Sequence, residues 1–137
     1  MIETLAALIL AATAPVPVEL ASPDDCAIIV AIGKDRVGWG QAPPKTALYV
    51  DQPSDDGGVY REACPWKRYG VADPVIGTDA SPGGFTVSRP TYDASRTHAT
   101  ASLTITVNPR FIDLWACRLV KRGGHWRLIA CEEQAIT

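Results

Sequence analysis

The chain has 137 residues, 47% of them hydrophobic, four cysteines and a formal net charge of −2. That is one domain's length with enough apolar material for a core, and the mildly acidic balance gives no electrostatic reason to expect a nucleic-acid partner. No apolar run approaches the roughly 20 residues that a membrane-spanning helix needs.

The N-terminal stretch MIETLAALILAATAPVPVELAS has a short apolar core from Leu5 to Ala14, and both Ala12-Thr13-Ala14 and Glu19-Leu20-Ala21 end on a small residue suited to cleavage. Residues 1–21 therefore read as a cleaved export signal, and residues 22–137 as a single disulfide-stabilised domain, periplasmic or secreted. Against this, no Lys or Arg precedes the core, Glu3 is acidic, and Pro15 is a poor first residue. The competing reading is a buried N-terminal helix, which Pro15 and Pro17 oppose because proline removes a donor and clashes inside a helix. Cys26 follows Pro23-Asp24-Asp25 and lacks the setting of a lipidated cysteine.

Cys26, Cys64, Cys117 and Cys131 all fall in the mature part, and an even count behind an export signal implies two disulfides. Zinc is the competing account, but the close paired spacings of structural zinc sites are missing, and only His98 and His125 could assist. No metal or other cofactor is expected.

Ser22-Pro23-Asp24-Asp25 is a helix start, with Ser22 as cap, Pro23 at the first helical position and Asp25 where a capping-box acid belongs. The helix runs on through Cys26 to Ile32, apolar nearly all round and so largely buried. It ends at Gly33, or continues past Lys34 and Asp35 to Gly38 with Trp39 just beyond.

The middle of the chain, residues 39–84, resists reading. Thr46 to Val50 is a short strand candidate after the break at Pro43-Pro44. Asp51 to Gly58 (DQPSDDGG) holds three carboxylates but lacks the ligand spacing and closing Glu of a calcium loop, so it reads as a solvated turn. Around Cys64, Tyr60, Trp66 and Tyr69 interleave with Arg61, Lys67 and Arg68. Such mixing can serve single-stranded nucleic acid. In an exported acidic protein the rings are expected on the core with their charged neighbours reaching water.

The last third is regular. Phe85 to Tyr92 reads as a strand, at an edge or bulged because of Pro90. In Thr97 to Val107, Ala99, Ala101, Leu103, Ile105 and Val107 alternate with polar residues, which marks a strand with one face buried. Asn108-Pro109-Arg110 turns the chain into Leu114 to Lys121, and Gly123-Gly124 makes a tight hairpin to His125 through Cys131. The expected fold is α+β: an N-terminal helix packed on a curved four-stranded antiparallel meander, with room for one further short strand.

The hairpin register bears on the disulfides. A strict two-residue loop pairs Arg122 with His125 and Leu119 with Leu128, and turns Cys131 away from Cys117 because successive side chains alternate. A three-residue loop, or a bulge at Gly124, would bring the two cysteines onto one face. Cys117–Cys131 with Cys26–Cys64 is the favoured pairing among three connectivities that stay open.

Phe85, Ser88-Arg89-Pro90, Tyr92-Asp93 and Arg96, followed by Arg118-Leu119, Lys121-Arg122, Gly124 and Trp126-Arg127-Leu128, form a pattern that resembles small exported bacterial proteins ending in leucine, charges, glycine and tryptophan. These in turn resemble the cystatin-like and nuclear-transport-factor-like α+β class. The resemblance implies a helix on a curved antiparallel sheet and carries no catalytic residues.

Phosphate loops, nucleophile elbows and zinc-protease motifs are missing from the sequence. Asp93, Ser95 and His98 could be drawn as a triad, but a turn does not lock nucleophile, base and orienter together. Arg118, Lys121, Arg122, His125 and Arg127 make the last hairpin basic, either to keep an edge soluble or to bind an acidic envelope protein or anionic envelope component. The expected function is a non-catalytic binding module of the cell envelope. The alternative is a small enzyme or ligand carrier with a cavity between helix and sheet.

Overall fold

The computed structural model describes residues 17–40, 46–49, 52–54, 57–76, 84–108 and 111–134. The apolar core of the expected export signal, the break at Pro43-Pro44, and Asp51, Asp55 and Asp56 of the acidic turn lie outside the described residues. Strand β1 (Val18–Leu20) precedes helix α1 (Pro23–Val37). There follow β2 (Thr46–Tyr49), β3 (Gln52–Pro53), β4 (Val59–Arg61), a 3₁₀ turn over Trp66–Tyr69, and β5 (Val75–Ile76). The chain closes with β6 (Gly84–Val87), β7 (Thr91–Tyr92), β8 (His98–Asn108), β9 (Phe111–Arg122) and β10 (His125–Glu133).

Helix α1 begins where its sequence says it should. The Ser22 hydroxyl accepts from the Asp25 N–H at 3.1 Å, and the Asp25 carboxylate accepts from the Ser22 N–H at 3.2 Å. This capping box satisfies donors that a helix start leaves open. The helix ends at Gly38, whose φ of +68° suits a residue without a side chain. Gly33 lies inside the helix and serves another purpose. A Cβ there would stand 2.6 Å from the Trp39 ring and 3.2 Å from Phe85, so its bareness lets Trp39 fold back onto the helix.

Among the described residues the main sheet runs β10-β9-β8-β6-β2-β5, with β7 also on β8, and a second small sheet runs β1-β4-β3. The ladders from β10 to β6 are antiparallel, whereas β2 lies parallel to both β6 and β5. The four-stranded meander needs correction in two ways. Phe85 to Tyr92 is two strands, because Pro90 has no N–H for the ladder and the chain breaks at Ser88-Arg89-Pro90. Ser88 spans part of the gap: its N–H donates to Ser102 O at 2.8 Å, and its hydroxyl accepts from the Ser102 N–H at 2.7 Å. The antiparallel part therefore has five strands, parallel strands extend it, and β1 precedes the helix. Broadly the fold is α+β.

Helix α1 packs against β10 and β6. Ile28 and Ile32 meet Phe85, Leu103 and Leu119 in one apolar cluster, closed on one side by Trp39. Along β8, Ala99, Ala101 and Leu103 are buried while His98 and Thr100 are exposed, as the alternation requires. Toward the strand's end Thr106 is buried too, next to a bulge between Thr106 and Asn108.

The last hairpin combines both alternatives. Its loop has two residues, with Arg122 opposite His125 and Leu119 opposite Leu128. The register then shifts between Leu128 and Ala130, so that Cys131 falls opposite Cys117. The bulge lies at Ile129, mid-strand, and not at Gly124. One extra residue reverses the alternation beyond it, and Cys117–Cys131 forms alongside Cys26–Cys64.

Candidate functional site

Asp24 and Asp25 stand next to each other in the first turn of α1 and face different surroundings. Asp25 is buried and accepts hydrogen bonds from the Tyr60 hydroxyl at 3.1 Å and from the Tyr92 hydroxyl. Since Tyr60 belongs to β4 and Tyr92 to β7, one carboxylate links the helix to both sheets. Burial, together with the Asp25 charge, pushes both phenols well above their usual range, so they stay protonated and donate.

Glu62 lies two residues beyond Tyr60, also buried. Loss of solvation, then the nearby Asp25 charge, raises its carboxyl to about 8. Gln52 of β3 is its neighbour: the amide donates to Glu62 Oε1 at 3.1 Å and to Val87 O at 3.3 Å, and accepts from the Arg89 N–H at 2.9 Å. The Arg89 guanidinium sits 5.1 Å from the Tyr60 ring centre and pairs with Glu19 of β1. The bonds among Asp25, Tyr60, Tyr92, Gln52 and Glu62 run inward while the Arg89–Glu19 pair reaches the surface, and neither of two surface clefts is lined by Asp25, Tyr60, Glu62 or Tyr92. Chemically the group can hold a proton on Glu62 and lock elements together.

Asp24 points toward the last hairpin. It accepts from the Trp126 indole N–H at 3.0 Å and from Lys121 Nζ at 3.2 Å, with Arg96 at 3.6 Å. The indole bond first, and Lys121 with it, hold this carboxyl below its usual range.

The residues that could be drawn as a triad form a turn. Asp93 Oδ1 accepts from the Thr97 and His98 N–H groups at 3.0 and 3.1 Å, and Oδ2 accepts from Ser95 Oγ at 3.0 Å, with His98 Nδ1 at 3.2 Å. Ser95 thus bonds to the acid and to Thr97 rather than to the imidazole, so no base is set to take its proton. The His98 N–H is the leading cause that draws the Asp93 carboxyl down to about 2. Asp93 is the cap of an exposed turn.

The basic hairpin residues divide between faces. Arg118, Arg122, His125 and Arg127 are exposed on the face away from the helix. Lys121 shares the inner side with Trp126 and is engaged by Asp24. Arg118 lies 3.6 Å from Glu132, both of them well exposed. On the same outer face, Ser88, Arg89, Thr91, Thr100, Ala101, Ser102 and Ala116 line a hollow of about 210 Å³. A second cleft, about 330 Å³, is lined by Cys64, Trp66, Lys67, Arg68 and Asp73. With all four cysteines in disulfides, none is a thiolate ligand, and among the described residues no three His, Cys, Asp or Glu side chains are grouped to hold a metal.

Comparisons with family models, curated proteins and solved structures found nothing that matches this chain.

The network of Tyr60, Glu62, Gln52 and Tyr92 escapes the sequence reading. Only Asp25 is legible there, and as a cap. The one available signal is the apposition of Tyr60 and Glu62 at a spacing of two, which puts both on one face of an extended segment.

Proposed function

We propose that this protein is an exported, non-catalytic binding module whose outer sheet face engages an anionic component of the cell envelope. The observation that carries the reading is the exposure of Arg118, Arg122, His125 and Arg127 on one face of β9 and β10. Such a face raises the local concentration of anionic partners. An enzyme or carrier using space between helix and sheet is less well supported, because Ile28, Ile32, Phe85, Leu103 and Leu119 fill that space.

Two disulfides fit an oxidising, extracytoplasmic compartment. Pro17 to Ala21 lie within the segment read as signal, yet Pro17 O accepts from the Val59 N–H at 2.9 Å and the Ala21 N–H donates to Arg61 O at 2.9 Å. This favours Ala12-Thr13-Ala14 as the processing site over Glu19-Leu20-Ala21. The helix on an antiparallel sheet supports the cystatin-like resemblance at the level of architecture alone.

The test is retention on immobilised heparin across a salt gradient. Wild type should elute at higher salt than Arg122→Glu/Arg127→Glu, and elution at the same salt would overturn the reading. Intact mass with and without reduction tests the compartment. Free thiols on a chain that keeps its N-terminal apolar stretch would overturn it.

A further inference from the structure

The hollow on the outer face of the sheet, between β7, β8 and β9, carries a more specific reading. We propose that it seats one acidic sugar residue, of the uronic acid kind, from an anionic glycan. This rests on the anionic-ligand reading above and names the ligand.

The hollow has a structural cause. The chain leaves the ladder at Ser88-Arg89-Pro90, and across β8 the residue opposite Ser102 is Ala116, too small to fill the space. Its lining is rich in hydroxyls that keep hydrogen-bonding capacity. Ser88 Oγ accepts from the Ser102 N–H and retains its own proton. Thr91 Oγ1 and Thr100 Oγ1 share one hydrogen bond at 2.7 Å, which leaves one of the two protons to donate. Ser102 adds a further hydroxyl. Groups that both donate and accept suit a ligand that carries hydroxyls itself, while a bare inorganic anion would use only the donors.

Arg89 lines the hollow and is paired with Glu19, and further charge stands beside it. Arg118 lies directly opposite Thr100 in the ladder. Its contact with Glu132 is long and exposed, a kind of pair that contributes little to stability, so the guanidinium can exchange it for a ligand carboxylate. A bidentate Arg–carboxylate pair is the stronger arrangement. At about 210 Å³ the hollow is smaller than the roughly 300–1,000 Å³ of sites for drug-sized molecules, so it fits one ring. A longer glycan would continue across the sheet toward Arg127 and Arg122.

The experiment is a two-dimensional amide NMR titration of the disulfide-bonded protein with sodium D-glucuronate, D-glucose and sodium sulfate at constant ionic strength. Glucuronate should shift the Ser88, Thr100, Ser102 and Ala116 amides saturably, with glucose and sulfate about tenfold weaker or more. Ala116→Leu, which fills the hollow without changing charge, should weaken glucuronate about tenfold. Thr100→Val, which keeps the shape and removes one hydroxyl, should also weaken it and covers the case in which the leucine variant misfolds. Unchanged affinity in the folded variants, or sulfate equal to glucuronate, would overturn the proposal. If Arg122→Glu/Arg127→Glu lowers heparin retention while glucuronate leaves the cleft amides unmoved, the hairpin reading stands and the sugar seat fails. If neither heparin nor glucuronate binds, both fail.

Discussion

The junction at the start of α1 and the hairpin of β9 and β10 each carry one disulfide, and they are built on opposite principles. In the hairpin, Cys117 and Cys131 are 14 residues apart and sit in a ladder already closed by a tight turn. At the junction, Cys26 and Cys64 are 38 residues apart, and the only ladder near them is the three-residue parallel pairing of β1 with β4 just upstream of both. Beyond that short ladder, their contact rests on the bridge, on apolar packing around Trp66, and on Asp25 with its two tyrosines. Regular ladders leave their charges free for the outer face, whereas the irregular junction uses its polar groups internally. For this reason the buried ionisable groups are poor candidates for a ligand site, and the plain-looking sheet face is the better one.

Removing each bridge is the sharpest way to break this comparison. Cys26→Ser/Cys64→Ser should cost about 4 kcal/mol and Cys117→Ser/Cys131→Ser about 3 kcal/mol, because the longer loop frees more unfolded-chain entropy. Urea unfolding measures both, and a reversed order would deny the junction its dependence on the bridge. Asp25→Ala comes next, at about 3 kcal/mol, since it removes the capping-box partner and leaves two inward tyrosine hydroxyls without their acceptor. Asp93→Ala, at the exposed turn, should move the midpoint much less.

Glu62 gives the comparison a pH signature. Its folded carboxyl is raised from 4.5 to about 8, so the folded state holds a proton that the unfolded chain releases. The stabilisation is complete below the unfolded value and is lost as pH rises through the folded one. Stability should fall by about 2 kcal/mol between pH 6 and pH 8, on the order of 1.4 kcal/mol per unit at most. Glu62→Gln should flatten that slope in urea midpoints measured across the range. A smaller effect is at Asp24: replacement by Asn weakens its bonds from Trp126 and Lys121 and should cost about 1 kcal/mol. A loss that shrinks with added salt would confirm its electrostatic part.

Ser22, Pro23 and Asp25 mark the helix start within a few residues, so that end is legible before any fold is known, whereas the choice between Gly33 and Gly38 as its end is made by the packing of Trp39 against Gly33. The alternation in β8 is legible for the same reason, and so is the turn at Gly123-Gly124. Phe85 to Tyr92 shows where the reading stops. Pro90 announces an irregularity, but whether it bends one strand or divides two depends on Ser102 across the ladder. Lys121 is a similar case. Its sequence neighbours suggest a basic patch, and its place on the inner face follows from the register that also buries Trp126.

By itself the sequence determined the start of helix α1, the long alternating strand, the place of the hairpin turn at Gly123-Gly124 and an even set of cysteines. Each is encoded by interactions spanning a few residues, or by a count. Tertiary structure alone decided the bulge at Ile129 that brings Cys131 opposite Cys117, the parallel strands beyond β6, and the meeting of Asp25 with Tyr60 and Tyr92, which lie 35 and 67 residues away. Such contacts form only when packing brings distant segments together, and no local pattern in the chain records which segments those are.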